Sequence, residues 1–99
     1  MAEDDHDMRH RKDDNHDEIA RSLEAIGCNV QNTSQVGEGC PDMFVSIHGI
    51  TVAMEIKQPG EDLRAKQLLW KNKWLGKYAI VHDVDEAIRA INLAVRGVR

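Results

Sequence analysis

The chain has 99 residues, 41% of them apolar and 30% charged, the composition of one globular domain with a small core. No apolar run approaches the roughly 18 residues of a membrane helix, and the polar N-terminus does not read as a secretory leader, so a soluble cytoplasmic protein is expected. The formal net charge of −4 is uneven: residues 1–18 hold eight acids against three bases and residues 19–99 nine against ten, so charge does not exclude a nucleic-acid partner.

Residues 1–12 have almost no apolar content and read as a disordered, acidic, histidine-containing arm, with residues 13–99 as the single folded domain. His6 and His10 stand four apart, the spacing of a metal pair on a helix, but nothing in this stretch argues for a helix and a solvated tail is expected. A first helix is expected from Asp14 or Asn15, with Ile19, Leu23 and Ile26 on one stripe and Gly27 as its stop. With Asn15 as N-cap, Glu18 falls at the third helical position, where a carboxylate favours the exposed amides.

Cys28 to Thr33 reads as a first strand with Val30 inward, and Ser34 to Gly39 as a glycine-bearing loop able to bring backbone close to a ligand. Cys28 and Cys40 lack metal-ligand spacing and are expected as reduced thiols. Met43, Val45 and Ile47 alternate with Phe44, Ser46 and His48, giving a second strand after Pro41. His48-Gly49 is the turn, and Ile50 to Lys57 returns antiparallel until Pro59-Gly60 ends it.

A second helix is expected from Glu61 or Asp62 to Leu75, stopped by Gly76. Its residues Leu63, Trp70 and Trp74 form one arc, with Gln67 beside them. Ala65, Leu68, Leu69 and Leu75 form another. One arc covers the sheet; the other needs a partner, either the last helix or a second copy of the chain. Lys77 to His82 is a fourth strand. Asp83-Val84-Asp85-Glu86 matches a capping box for a last helix packed through Val84, Ile88, Ile91 and Val95. The order helix, three strands, helix, strand, helix is that of an α/β domain with a mixed four-stranded sheet.

Chemistry concentrates between Gly39 and Lys57. The turn lies six residues past Asp42 and six before Glu55, so an in-register hairpin brings the two carboxylates level. Lys57 shares a strand face with Glu55. Mg²⁺ takes oxygen ligands and keeps several waters, so two carboxylates and a backbone carbonyl suffice to hold it. Phosphodiester hydrolysis needs an activated water, positive charge at the phosphoryl group and help for the leaving oxygen, which a metal and a lysine can share. Each residue alone has an ordinary account: an Asp after Pro as a turn residue, Glu-x-Lys as a solvated ion pair. Their joint placement, followed by a helix rich in Lys, Arg and Trp, points to a metal-dependent nuclease.

Gly39-Cys40-Pro41-Asp42, then Glu55-Ile56-Lys57, then Gln67 in the following helix resembles the PD-(D/E)XK nuclease superfamily. More narrowly, it is similar to the compact VRR-NUC domains found as stand-alone phage proteins and at the end of larger DNA-repair nucleases. The resemblance spans about residues 14–82. It implies a restriction-endonuclease-like core, with Asp42, Glu55 and the carbonyl of Ile56 as ligands of Mg²⁺ or Mn²⁺. Lys57 would be the catalytic lysine, Gln67 a site-lining residue, and Glu18 the first-helix glutamate that completes the site. It further implies a homodimer acting on branched DNA in the manner of a Holliday-junction resolvase, in the host cytoplasm if the chain is phage-encoded. The alternatives are a restriction-like or nonspecific DNA nickase using the same site, a non-catalytic DNA-binding module, or a plain structural domain. A non-catalytic domain has no chemical need for Asp42, Glu55 and Lys57 together.

Overall fold

The computed structural model describes residues 2–97, with side chains from Asp14 onward. In chain order the elements are α1 (Ala2–Ala25), β1 (Asn29–Asn32), β2 (Met43–Ile47), β3 (Ile50–Ile56), α2 (Ala65–Lys73), β4 (Lys77–Val81) and α3 (Val84–Val95). The three helices and the mixed sheet, ordered β1-β2-β3-β4, form the expected α/β fold: β1, β2 and β3 are antiparallel, and β4 runs parallel to β3.

The turn at His48 and Gly49 sets the register. Both residues take positive φ, 52° and 77°, as a two-residue turn of the right hand for a twisted hairpin requires. Ile47 therefore stands opposite Ile50 and Met43 opposite Met54. Alternation then sorts the side chains. Met43, Val45, Val52, Met54, Ile56 and Val81 share one buried face, covered by Ile19 and Leu23 of α1 and by Ala87, Ile91 and Ala94 of α3. Phe44, Ala53, Glu55 and Tyr78 belong to the opposite face, which Trp70 of α2 and Trp74 just after it cover. The two indoles stack with centroids 5.1 Å apart, and each meets the Phe44 ring edge-on, at 6.0 and 5.6 Å. Ring pairs of this kind contribute about 0.5–1.5 kcal/mol each beyond the area they bury.

Several local expectations are corrected. Helix α1 starts at Ala2 rather than near Asp14 or Asn15: no glycine or proline interrupts the chain before Gly27, and acids in the first turn favour a helix N-terminus. The stretch read as an arm thus carries helical backbone, while the side chains of the His6–His10 pair lie outside the described residues. Asn15 is no cap; its amide donates to the His82 carbonyl at 3.2 Å. Gly27, with φ of 102°, ends the helix as expected.

Helix α2 starts at Ala65, because Gln58 to Glu61 is spent on a turn. The Glu61 amide donates to the Gln58 carbonyl at 3.0 Å, with Pro59 and a positive-φ Gly60 between them. It ends at Lys73, since Trp74 leaves the helical region and its indole donates to the Lys77 carbonyl at 2.8 Å. Gly76 is therefore not the stop; a Cβ there would lie 2.7 Å from the Trp74 ring. In α3, Asp83 caps the Glu86 amide at 2.8 Å, but the Glu86 carboxylate turns to His82, whose amide and ring lie 2.9 and 2.7 Å away. Val95 is exposed, and Ala94 packs inward in its place. Leu68 and Leu69 of α2 and Leu75 just after it are all exposed, Leu75 by 99%, and Leu75 shares a cavity with Ala90, Leu93 and Ala94 of α3.

Candidate active site

The loop from β1 is closed by Thr33, whose amide donates to the Asp42 carbonyl at 2.9 Å and whose hydroxyl donates to the Pro41 carbonyl at 2.7 Å. This closure delivers Asp42 to the position one step beyond the Met43–Met54 pair, level with Glu55. The Asp42 Oδ2 then accepts the Ile56 amide hydrogen at 2.8 Å. The hairpin thus sets Asp42 level with Glu55 and bonds its carboxylate to the Ile56 amide, with Lys57 the next residue along the chain.

Helix α2 is drawn onto this corner by Gly39. Its φ is 81°, and a Cβ on it would collide with the Lys66 carbonyl and lie 2.9 Å from the Gln67 amide. The space opened by this glycine is filled by the helix backbone, and is not room for a ligand. Gln67 follows: its Oε1 accepts the Arg64 amide at 2.8 Å, capping α2, and its Nε2 makes a long contact of 3.5 Å with Glu55 Oε2. One side chain both caps the helix and lines the site.

Glu55 and Lys57 are each 1% exposed. Glu61 Oε2 lies 3.8 Å from Lys57 Nζ, and Nζ has no hydrogen-bond acceptor among the described residues. Leaving a buried donor without an acceptor costs about 1–3 kcal/mol, a cost native proteins carry at few positions. Tyr78 on β4 records the charge of this corner. Burial, then the Glu55 carboxylate, then that of Asp42, push its phenol up from 10.0 to about 12.

Beside Asp42 and Ile56 opens a polar cavity of about 470 Å³, lined also by His16, Asp17, Asn32 and Ser34. His16 Nε2 lies 3.2 Å from the Asp42 carbonyl. A larger cavity of about 760 Å³ runs along β4 between Leu75 and Leu93. It is mainly apolar and holds neither carboxylate; the smaller one holds Asp42, while Glu55 and Lys57 line neither. Glu18 is not brought to either; it is exposed on α1 beside Asp14, Asp17 and Arg21.

A VRR_NUC domain of known structure superposes on this chain with a TM-score of 0.65, covering 77% of this chain and 88% of that one at 21% identity. The two share a fold. No family model matches the sequence, and no characterised relative does.

Asp42, Glu55 and the Ile56 carbonyl are hard oxygen donors, the type that Mg²⁺ and Mn²⁺ take, with water completing the shell. No group of three or more His, Cys, Asp or Glu side chains forms a complete metal cluster among the described residues. His16 and Asp17 were not foreseen at the site, although His16 carries a signal. It precedes Ile19 and Leu23 by three and seven residues, and so falls on their buried stripe. Glu18 sits about 100° round the helix from Ile19 and about 140° from Leu23, off that stripe. Tyr78 had no pattern of its own; only its register, opposite Ala53, brings it near Glu55.

Proposed function

We propose that this chain is a metal-dependent endonuclease that hydrolyses phosphodiester bonds of branched or structured DNA, Holliday junctions included, and works as a homodimer. The observation that carries the reading is the pairing of Asp42 level with Glu55, with Lys57 on the same strand face, inside a fold shared with a VRR_NUC domain. Asp42, Glu55 and the carbonyl of Ile56 would hold the ion, Mg²⁺ or Mn²⁺. When bound, such an ion supplies positive charge to the scissile phosphate and acidifies a water.

The chain's own residues supply the rest. Asp42 is oriented by the Ile56 amide and by the Thr33 closure, so its carboxylate keeps a fixed relation to β3. Lys57 offers a cation to the phosphate oxygens or orients the attacking water, and Gln67 holds the Glu55 side of the site through its Nε2. The exposed apolar stripe of Leu68, Leu69 and Leu75, flanked by Arg64, Lys66, Lys71 and Lys73, supports a self-complementary contact between two copies. No helix among the described residues is long and apolar enough to cross a membrane.

The test is incubation with a four-way junction, a flap, a linear duplex and single strands, in Mg²⁺, Mn²⁺ or EDTA. Metal-dependent paired cuts at the junction are expected. Failure to cut any of the four with metal present removes the enzyme reading, and cutting all four alike removes the structural preference. Sedimentation of the protein before and after Leu69→Glu tests the dimer.

A further inference from the structure

Lys57 is buried beside the turn that follows its own strand. With Nζ on a residue 1% exposed, no phosphate can approach it in this conformation. What stands against Nζ is the Glu61 carboxylate, 3.8 Å away. Glu61 closes the turn that begins at Gln58: its Oε1 accepts the Gln58 amide at 2.8 Å, which leaves Oε2 as the oxygen facing the lysine. The segment 58–64 forms neither helix nor strand, and Gln58 to Asp62 are exposed. Segments with few buried apolar contacts open at low free-energy cost. At 3.8 Å the Lys57–Glu61 contact is an ion pair without a hydrogen bond, and Glu61 is 34% exposed, so solvent screens it. An incoming phosphate is an oxyanion of the same kind, able to take charge-assisted hydrogen bonds that the carboxylate does not make here.

We propose that Glu61 is a positioning residue for Lys57, holding its Nζ under the 58–64 strap until a substrate phosphate displaces the carboxylate. The displacement step rests on the reading of Lys57 as the residue that serves the phosphodiester. Both partners belong to one local structure, the strand end and the turn that follows it. The release of Lys57 and the opening of the strap are therefore one motion.

The experiment is residue-by-residue acetylation of the full chain with an amine-reactive ester, read by mass spectrometry, in wild type and in Glu61→Gln. Glutamine keeps an oxygen for the Gln58 amide and removes the charge that faces Lys57. In wild type, Lys57 should label far more slowly than exposed Lys66. In Glu61→Gln its rate should rise about two- to fivefold, the scale of a strap opening made cheaper by one solvent-screened ion pair. Lys77, half-buried at the start of β4, is the internal standard and should keep its rate if the fold is intact. Junction DNA, held with Ca²⁺ so that it is not cut, should bind the variant more tightly than wild type. Equal labelling of Lys57 in the two proteins, or wild-type Lys57 labelling as fast as Lys66, overturns the proposal. A wild type that neither binds nor cuts DNA, with the labelling change intact, brings down the nuclease reading and the displacement step, and supports the hold of Glu61 on Lys57.

Discussion

Asp42 reaches across the open end of the hairpin to Ile56, its Oδ2 accepting the Ile56 amide hydrogen at 2.8 Å. The two residues are fourteen apart in sequence, and the bond takes up where the ladder of β2 and β3 ends. It gives the Asp42 carboxylate a fixed orientation at the edge of the polar cavity, while the Ile56 side chain stays in the core on the opposite face.

Substituting Asp42 therefore separates structure from chemistry. Asp42→Asn keeps an oxygen for the Ile56 amide and should leave the urea midpoint nearly unchanged, while cleavage of a four-way junction falls by about a hundredfold or more, the scale of losing one charge-stabilising group. Asp42→Ala also strands the amide and should cost a further 1–3 kcal/mol or so of stability. Full cleavage by Asp42→Asn would remove the carboxylate from the proposed metal site. Loss of stability in that variant equal to that of Asp42→Ala would show that its charge, and not its acceptor, holds the hairpin end.

Gly39 makes a second structural prediction. Gly39→Ala combines a left-handed backbone, costing about 1–2 kcal/mol for a side chain, with a Cβ driven into the Lys66 carbonyl. The collision is with helix backbone, which cannot rotate away as a side chain would. Urea unfolding should show a loss above 2 kcal/mol or so, and the same variant should loosen Gln67 from Glu55, because α2 must back off. A loss within experimental error would mean that the loop and helix separate freely.

The register of the site was legible because it depends on local rules. A turn at His48-Gly49 and strict alternation put Asp42 level with Glu55 without any knowledge of the helices. The Trp70–Trp74 arc was equally readable, because helical periodicity alone places those rings on one side. What escaped the sequence were facts set by tertiary packing. Glu18 matched a position in a motif, but the phase of α1 is set by Ile19 and Leu23, and that phase turns Glu18 away and His16 inward. Gly39 and Gly76 read as loop freedom and helix stop. Each turned out to be a point where another element, the α2 backbone or the Trp74 ring, comes too close for a Cβ. The exposed leucines were half legible: periodicity called for a partner, and Leu68, Leu69 and Leu75 stay exposed within the chain.

The turn between β4 and α3 carries an acid-sensitive contact. Hydrogen bonds from the His82 ring, then from its amide, hold the Glu86 carboxyl below its ordinary value of 4.5. A carboxyl whose folded value is lowered contributes stability that is full above the unfolded value and is lost as pH falls through the folded one. Melting temperature should therefore drop as pH goes below 4.5, and Glu86→Gln, which keeps an acceptor without the titration, should flatten that part of the curve. An identical acid limb in the variant would assign the sensitivity to other carboxylates.

Tyr78 offers a direct reading of the charge at the candidate site, because it is the only tyrosine in the chain. Ultraviolet titration of its phenol should give a midpoint near 12, against 10.0 for an ordinary tyrosine. In Glu55→Gln the midpoint should fall but stay above 10, since burial, the largest cause, is unchanged and only the second cause is removed. Asp42→Asn should lower it less, as the third cause. The sign of the linked stability follows from the raised value. The folded state holds the phenolic proton more tightly than the unfolded chain, so this contribution is complete below pH 10 and is lost as pH rises from 10 through about 12. Circular dichroism followed alongside separates titration of the folded protein from alkaline unfolding. A midpoint that stays at the wild-type value in both Glu55→Gln and Asp42→Asn, with the fold intact, would mean that the two carboxylates do not concentrate their charge beside β4.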